Sequence, residues 1–417
     1  MNISLDQFRG FDKRIYILGL GWLITAAGFA MVIPFISLYF YQEMNMTMTA
    51  IGMFFGFTAI LRAIPQPFAG WLSDKIGRVP IMGWSQVLRS FTFVGVAIAM
   101  LYDLGFIVIA AIISLNYIFG SVLHPTANAM VADLVEKEKR LSAYAFLRIS
   151  GNLGWAIGPA MGGFIAHVSY PALFFISGIM AFISGLFFLF ALKDVEKTHE
   201  PENDLKPKEP AFNIKVYLPL LKYCVISFVL FLAVAQFIAT LSVYSTEVVG
   251  ISKTQLGWLY AINGLMVVVL QFFISSLFRK LKLTNQLAIG AVIYSFGYLL
   301  MVFAGQFWFL ILFMVIITVA EMIVSPPSVT LVANLSPKGQ YGKYMGVFGM
   351  FQMAGWSLGP TLGGILMDLF SYNTSHMWYV ISLMALVTVF LFLNYGRNIS
   401  SDVNSASKLG VSGGKNS

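Results

Sequence analysis

Long apolar stretches separated by short polar breaks run through the chain from Ile15 to Tyr395. They lie near residues 15–41, 49–72, 80–101, 104–132, 139–166, 170–192, 217–245, 254–278, 285–304, 306–334, 340–369 and 374–395. A helix of roughly 20 mostly apolar residues crosses a bilayer, so this pattern predicts twelve transmembrane helices. The first run is too long for a signal-peptide core and is expected to be a retained span.

Composition agrees with that pattern. Of 417 residues, 58% are hydrophobic and only 11% charged, with a mean hydropathy of +0.81, whereas soluble domains carry about a quarter charged residues. The net charge of +8 lacks the basic soluble module that a nucleic-acid partner needs, so none is expected. Its distribution is more informative. Arg9, Lys13, Arg14, Lys75, Arg78, Lys137, Lys139, Arg140, the 193–215 linker, Arg279, Lys280, Lys282, Lys338, Lys343 and Arg397 fall on one side of the predicted topology, and essentially only Lys253 on the other. The positive-inside rule then puts both termini in the cytoplasm, with the cell membrane as the expected location. The lone cysteine, Cys224, excludes a disulfide framework, a cysteine-based zinc site and an iron–sulfur cluster.

A polar, Lys-, Glu- and Pro-rich stretch, KDVEKTHEPENDLKPKEPAF, separates the sixth and seventh runs. The two sides of it repeat each other. GWAIGPAMGG at Gly154 to Gly163 returns as GWSLGPTLGG at Gly355 to Gly364, and the same offset sets Val131-Ala132-Asp133-Leu134 on Val332-Ala333-Asn334-Leu335 and Pro125 on Pro326. An even number of spans separates the copies, so the halves share one orientation. The expected organisation is a six-helix bundle over 1–192, a cytoplasmic linker over 193–216, a second six-helix bundle over 217–396, and a disordered cytoplasmic tail over 397–417. Such a duplication suits a carrier that opens a central site to either face by rocking one half on the other.

The loop GWLSDKIGRV, Gly70 to Val79, resembles the signature of the major facilitator superfamily between its second and third spans. Gly70, Asp74, Lys75, Gly77 and Arg78 match it, and Val79 departs from it. The resemblance implies the major facilitator fold: an all-α membrane protein of twelve helices in two pseudo-symmetric six-helix bundles. It also implies a cytoplasmic gate latch of these residues, completed by Asp133 at the end of the fourth span. The repeated GxxxGPxxGG is similar to a fifth-span motif of antiporters in that superfamily, although Ala145 stands where the family carries a further Gly. Small residues let backbones approach, so Gly154, Gly158, Gly162, Gly355, Gly359 and Gly363 are expected to pack helices, with Pro159 and Pro360 bending them.

Charges inside apolar runs are costly and mark candidate sites. Glu321, in FMVIITVAEMIVSPP, is the one acid far from any predicted helix end. A desolvated carboxyl there could load and release a proton, and span ten lines the central cavity in the drug–proton antiporter group, which the chain resembles. Arg62 and His124 are candidate partners in proton coupling, and Arg89 and Arg148 are further deep cations. The family's fourth-span Arg is replaced by Asn116. Gln66, Asn116, Asn152, Gln236, Asn263 and Gln352 are candidates to line a substrate cavity.

No GxxxxGK[ST] loop for a primary pump is present, and neither HExxH nor a mid-depth carboxylate pair for an enzyme or metal site. The expected activity is proton-coupled export of hydrophobic or amphipathic small molecules by a monomer, without cofactor or metal. Proton-coupled uptake, uncoupled exchange of a polar metabolite or lipid-like substrate, and a channel are the alternatives.

Overall fold

Every expected apolar run lies on helix. The computed structural model describes residues 10–136, 139–194, 214–337 and 340–406, and no strand occurs among them. In chain order the helices are α1 (Lys13–Gln42), α2 (Met48–Ala63), α3 (Pro65–Ile76), α4 (Arg78–Leu101), α5 (Gly105–Ser121), α6 (Leu123–Leu134), α7 (Arg140–Val168), α8 (Tyr170–Ala191), α9 (Ile214–Val234), α10 (Ala239–Val243), α11 (Lys253–Phe278), α12 (Leu283–Leu300), α13 (Phe307–Leu335), α14 (Tyr341–Leu369) and α15 (Met377–Arg397). Nine helical segments among the described residues are long and apolar enough to cross a membrane, with Met48–Ala63 a shorter apolar helix.

Three expected runs are broken, each for a local reason. The second divides into α2 and α3 at Pro65, which has no N–H to continue the ladder. The fourth divides into α5 and α6 around Val122, because the ring of Pro125 crowds the carbonyl of Ser121, where α5 ends. The seventh leaves α-geometry in a 3₁₀ turn at Ala235–Phe237 and a π-helical turn at Tyr244–Val248. In that 3₁₀ turn the Gln236 side-chain amide donates to the carbonyls of Leu232 and Gly359, both at 2.8 Å.

The helices gather into two compact units. The first comprises Met1–Met46, Phe54–Glu200 and Ser242–Val268, so the start of α11 joins it. Its apolar core includes Ile15, Leu18, Met82, Met130 and Phe188 from α1, α4, α6 and α8. The second comprises Thr47–Met53, Pro201–Leu241 and Val269–Ser417, so the first turn of α2 joins it. Its core is aromatic: Tyr298 stacks on Trp378 at 5.8 Å and Tyr223 on Phe348 at 5.6 Å.

The expected tail departs from disorder at its start. Asn404 accepts from the backbone N–H groups of Leu283 and Thr284, at 2.9 Å each, and so caps α12. The Asn334 amide at the end of α13 donates to the carbonyls of Val403 and Ser405. Paired backbone of this kind holds 398–406 against two helix ends, which the polar composition of the segment conceals. Residues 407–417, most of the linker, Arg9, Lys137 and Lys338 lie outside the described residues.

Candidate functional site

Two pseudo-symmetric glycine seams organise the units. In the first, α7 crosses α1, and a Cβ on Gly154 would sit 2.7 Å from the Ala26 Cβ and 2.8 Å from the Leu23 carbonyl. One on Gly158 would sit 2.5 Å from the Ala27 carbonyl, and Gly162 faces the Met31 carbonyl. In the second, α14 crosses α9 and the 3₁₀ turn after it, with Gly355 against Phe231, Gly359 against Ala235 and Gly363 against Gln236. Pro159 and Pro360 lie inside these continuous helices.

The same two helices carry a second face. In the first unit, Gly257 of α11 presses on the Pro159 carbonyl and on Gly163, while in the second, Gly52 of α2 presses on the Pro360 carbonyl and on Thr361. Thr361 Oγ1 donates to the Gly52 carbonyl at 2.8 Å. Asp368 of α14 caps α2 by accepting from Met48 N–H at 3.1 Å and Thr49 N–H at 2.7 Å, an anion at the positive end of a helix. Neither Asp368 nor Gly52 announces itself in the sequence.

At the α3–α4 junction the expected latch residues meet. Gly77 ends α3 and starts α4 at φ +101°, a region that other residues rarely enter. Arg78 reaches Asp74 at 2.6 Å and Asp133 at 3.0 Å, with its own side chain only 13% exposed. Its hydroxyl neighbour is Ser73. Asp194, just past α8, accepts from the Arg78 backbone N–H at 3.0 Å, and its other carboxylate oxygen occupies the space a Cβ on Gly77 would need. Sequence reading missed Asp194, whose place in a charged linker gives no sign of it. Arg140 closes the end of α6 by donating to the carbonyls of Ala132 and Val135. Lys75 lies over the Trp71 ring at 4.0 Å.

Deeper in the first unit lies a cationic and aromatic group. Arg62, exposed in the last turn of α2, stacks on Tyr117 at 5.3 Å. Tyr117 meets Phe29 edge-on at 5.9 Å, and Phe29 carries Arg89 at 4.4 Å on its face. Arg89 is buried and donates from Nε to Asn116 Oδ1 at 3.1 Å, while Asn116 donates to Thr92 Oγ1 at 2.8 Å. His124 is exposed beside Trp22 and Asn128.

Several expected cavity residues are otherwise engaged. Asn116 and Gln236 are buried and committed to internal hydrogen bonds, so neither offers a free amide to a cavity. Gln66, Asn152, Asn263 and Gln352 are half-buried. Glu321, expected to be desolvated, is exposed on α13 and is not enclosed by protein; Tyr294 and Tyr298 of α12 are its electrostatic neighbours. No group of three potential metal ligands occurs among the described residues.

A family model described as the Major Facilitator Superfamily matches residues 18–305 and 223–410. An MFS-type transporter of Bacillus subtilis (strain 168), YttB, is 26% identical over 398 residues, covering 93% of this chain and 96% of its own. The quinolone resistance protein NorA of Staphylococcus aureus (strain COL) is 22% identical over 384 residues, covering 91% and 96%. Among solved structures, the fold is similar to a bacterial homologue of the human lysosomal transporter Spinster in an inward-facing, occupied conformation. Its TM-score is 0.79 at 12% identity, covering 94% of this chain and 99% of that one. A POT family transporter in complex with 5-aminolevulinic acid gives 0.74 at 15% identity, covering 94% and 98%.

Proposed function

The chain belongs to the major facilitator superfamily and is a multi-pass secondary transporter, and from that premise we propose that it exports amphipathic compounds across the cell membrane in exchange for protons. The proposed topology has twelve spans in two six-helix bundles, with both termini cytoplasmic. The pairing of Gly257 with the Pro159 carbonyl and of Gly52 with the Pro360 carbonyl supports alternating access, because the same small-residue contact recurs once in each unit on helices of different repeats. Arg78, held between Asp74 and Asp133 and anchored by Asp194, is the proposed cytoplasmic latch.

Glu321 is the proposed proton carrier. It is the one carboxylate within α13, and an acid inside a membrane-spanning helix is a functional candidate by default. Similarity to NorA over most of both chains favours efflux of drug-like compounds over uptake.

The test uses purified protein in vesicles, an imposed pH gradient and an amphipathic dye. Glu321→Gln should abolish gradient-driven transport while leaving dye counterflow intact, since counterflow needs no net proton movement. Gradient-driven transport at the wild-type rate in that variant would remove Glu321 from the coupling.

A further inference from the structure

The first unit holds positive charge at depth, at Arg62 and Arg89 above all. From Arg78 to Arg89 along α4 is about 16 Å, from Arg140 to Arg148 along α7 about 12 Å, and from Asp133 back to His124 along α6 about 14 Å, at 1.5 Å per residue. Arg62 lies at a similar depth, twelve residues before Asp74. The described acids of this unit, Asp12, Glu43, Asp74, Asp103, Asp133, Glu136, Asp194 and Glu247, all sit at helix ends or in connections. Among the described residues, no carboxylate pairs with Arg62 or Arg89.

The two guanidiniums bracket aromatic rings. Arg62, Tyr117, Phe29 and Arg89 form a continuous series with a cation at each end, and Phe29 also meets Trp155 edge-on at 6.4 Å. Arg62 is near enough to Arg89 and His124 for its charge to act on both. Arg89 is fixed: Asn116 holds its Nε, and its guanidinium lies so close to Gly120 that an added Cβ there would sit 2.9 Å from Cζ. Arg62 is exposed and reachable, and the rings of Trp22, Phe29 and Trp155 are half-buried.

A buried cation without a counter-charge is unfavourable, and aromatic faces relieve only part of that cost. A bound anion would supply the rest. The guanidinium fork matches a carboxylate, and the neighbouring rings offer flat apolar surface to whatever carries it. We propose that Arg62, with the fixed charge of Arg89 behind it, forms the recognition site for the carboxylate of an amphipathic aromatic acid, which is the exported substrate. Arg62 touches the ligand, and Arg89 acts as a positioning charge. The proposal rests on the carrier reading above and specifies the substrate class.

The test is binding to the full-length protein in lipid nanodiscs, followed by calorimetry. The probes are 1-naphthaleneacetate, its primary amide and a naphthylmethyltrimethylammonium ion. The carboxylate should bind about tenfold or more tighter than the amide, and the cation weakest. Arg62→Gln should erase the difference between carboxylate and amide, and Arg62→Lys should restore part of it. Replacing chloride by methanesulfonate, which carries no carboxylate, should leave the order unchanged, which separates an organic-acid site from a chloride site. Arg89→Gln should weaken carboxylate binding; if it does not fold, the Arg62 pair decides. A carboxylate no tighter than its amide, or a preference untouched by Arg62→Gln, overturns the assignment. Arg62-dependent carboxylate binding without gradient-driven transport would instead sink the carrier reading alone. Gradient-driven transport of the cation, with no preference for the carboxylate, would sink the anion site alone.

Discussion

Four glycines of known surroundings offer a direct measure of how tightly the repeat packs. A methyl on Gly154 would lie 2.7 Å from the Ala26 Cβ and 2.8 Å from the Ala27 nitrogen, and one on Gly355 would lie 2.6 Å from the Phe231 Cβ. Ordinary contact begins at 3.4 Å, so α7 must part from α1, or α14 from α9, by about 0.7–0.8 Å. Neither obstacle can rotate away, since backbone and Cβ atoms are fixed to the helix. Overpacking of this kind costs about 1–3 kcal/mol. Gly346 and Gly349, on the same α14, have nothing within 4 Å of an added Cβ. There the substitution brings only the helix-propensity gain of about 0.5–1 kcal/mol. Gly154→Ala and Gly355→Ala should therefore lie about 1–3 kcal/mol below Gly346→Ala and Gly349→Ala, a separation of several degrees in Tm. Cys224 is the lone cysteine and is fully buried, so a thiol-reactive fluorogenic dye in a thermal ramp reports unfolding without further labelling. Equal melting temperatures for all four variants would refute the packing account.

Two further variants test other contacts. Gly77→Ala should lose about 1–3 kcal/mol, because an L-residue is strained at φ +101° and the Asp194 carboxylate fills the space; the same dye ramp, with limited trypsin cleavage of the α3–α4 junction, would register it. Asp368→Ala removes both acceptors at the start of α2 and should lower stability by about 1 kcal/mol, whereas Asp368→Asn, which keeps an oxygen, should lose less; hydrogen exchange at Met48 and Thr49 would resolve the difference.

Much of the fold was legible because apolar runs and their breaks are set by the bilayer, and a duplication leaves ten-residue copies such as GWAIGPAMGG and GWSLGPTLGG. The meeting of Asp74, Arg78 and Asp133 was expected from the family resemblance of GWLSDKIGRV rather than from hydropathy, and the two ion pairs of Arg78 bring the three side chains together. What escaped notice depends on contacts distant in sequence. Asp194 meets Arg78 across 116 residues, and Asp368 meets Met48 across 320, so neither spacing carries a local signature. Asn116 and Gln236 looked like cavity polars because a sequence shows that an amide is present, not where its hydrogen bonds go. The breaks at Val122 and Pro65 were readable in principle from the prolines, but a hydropathy run smooths over them.

The stitching of 398–406 to the ends of α12 and α13 bears on how reporters can be attached to this protein. A fluorescent fusion spliced in at Asn398 would strip Asn404 from Thr284 and leave the Asn334 amide without Val403 and Ser405. The same cargo joined at Ser417 keeps those knots tied.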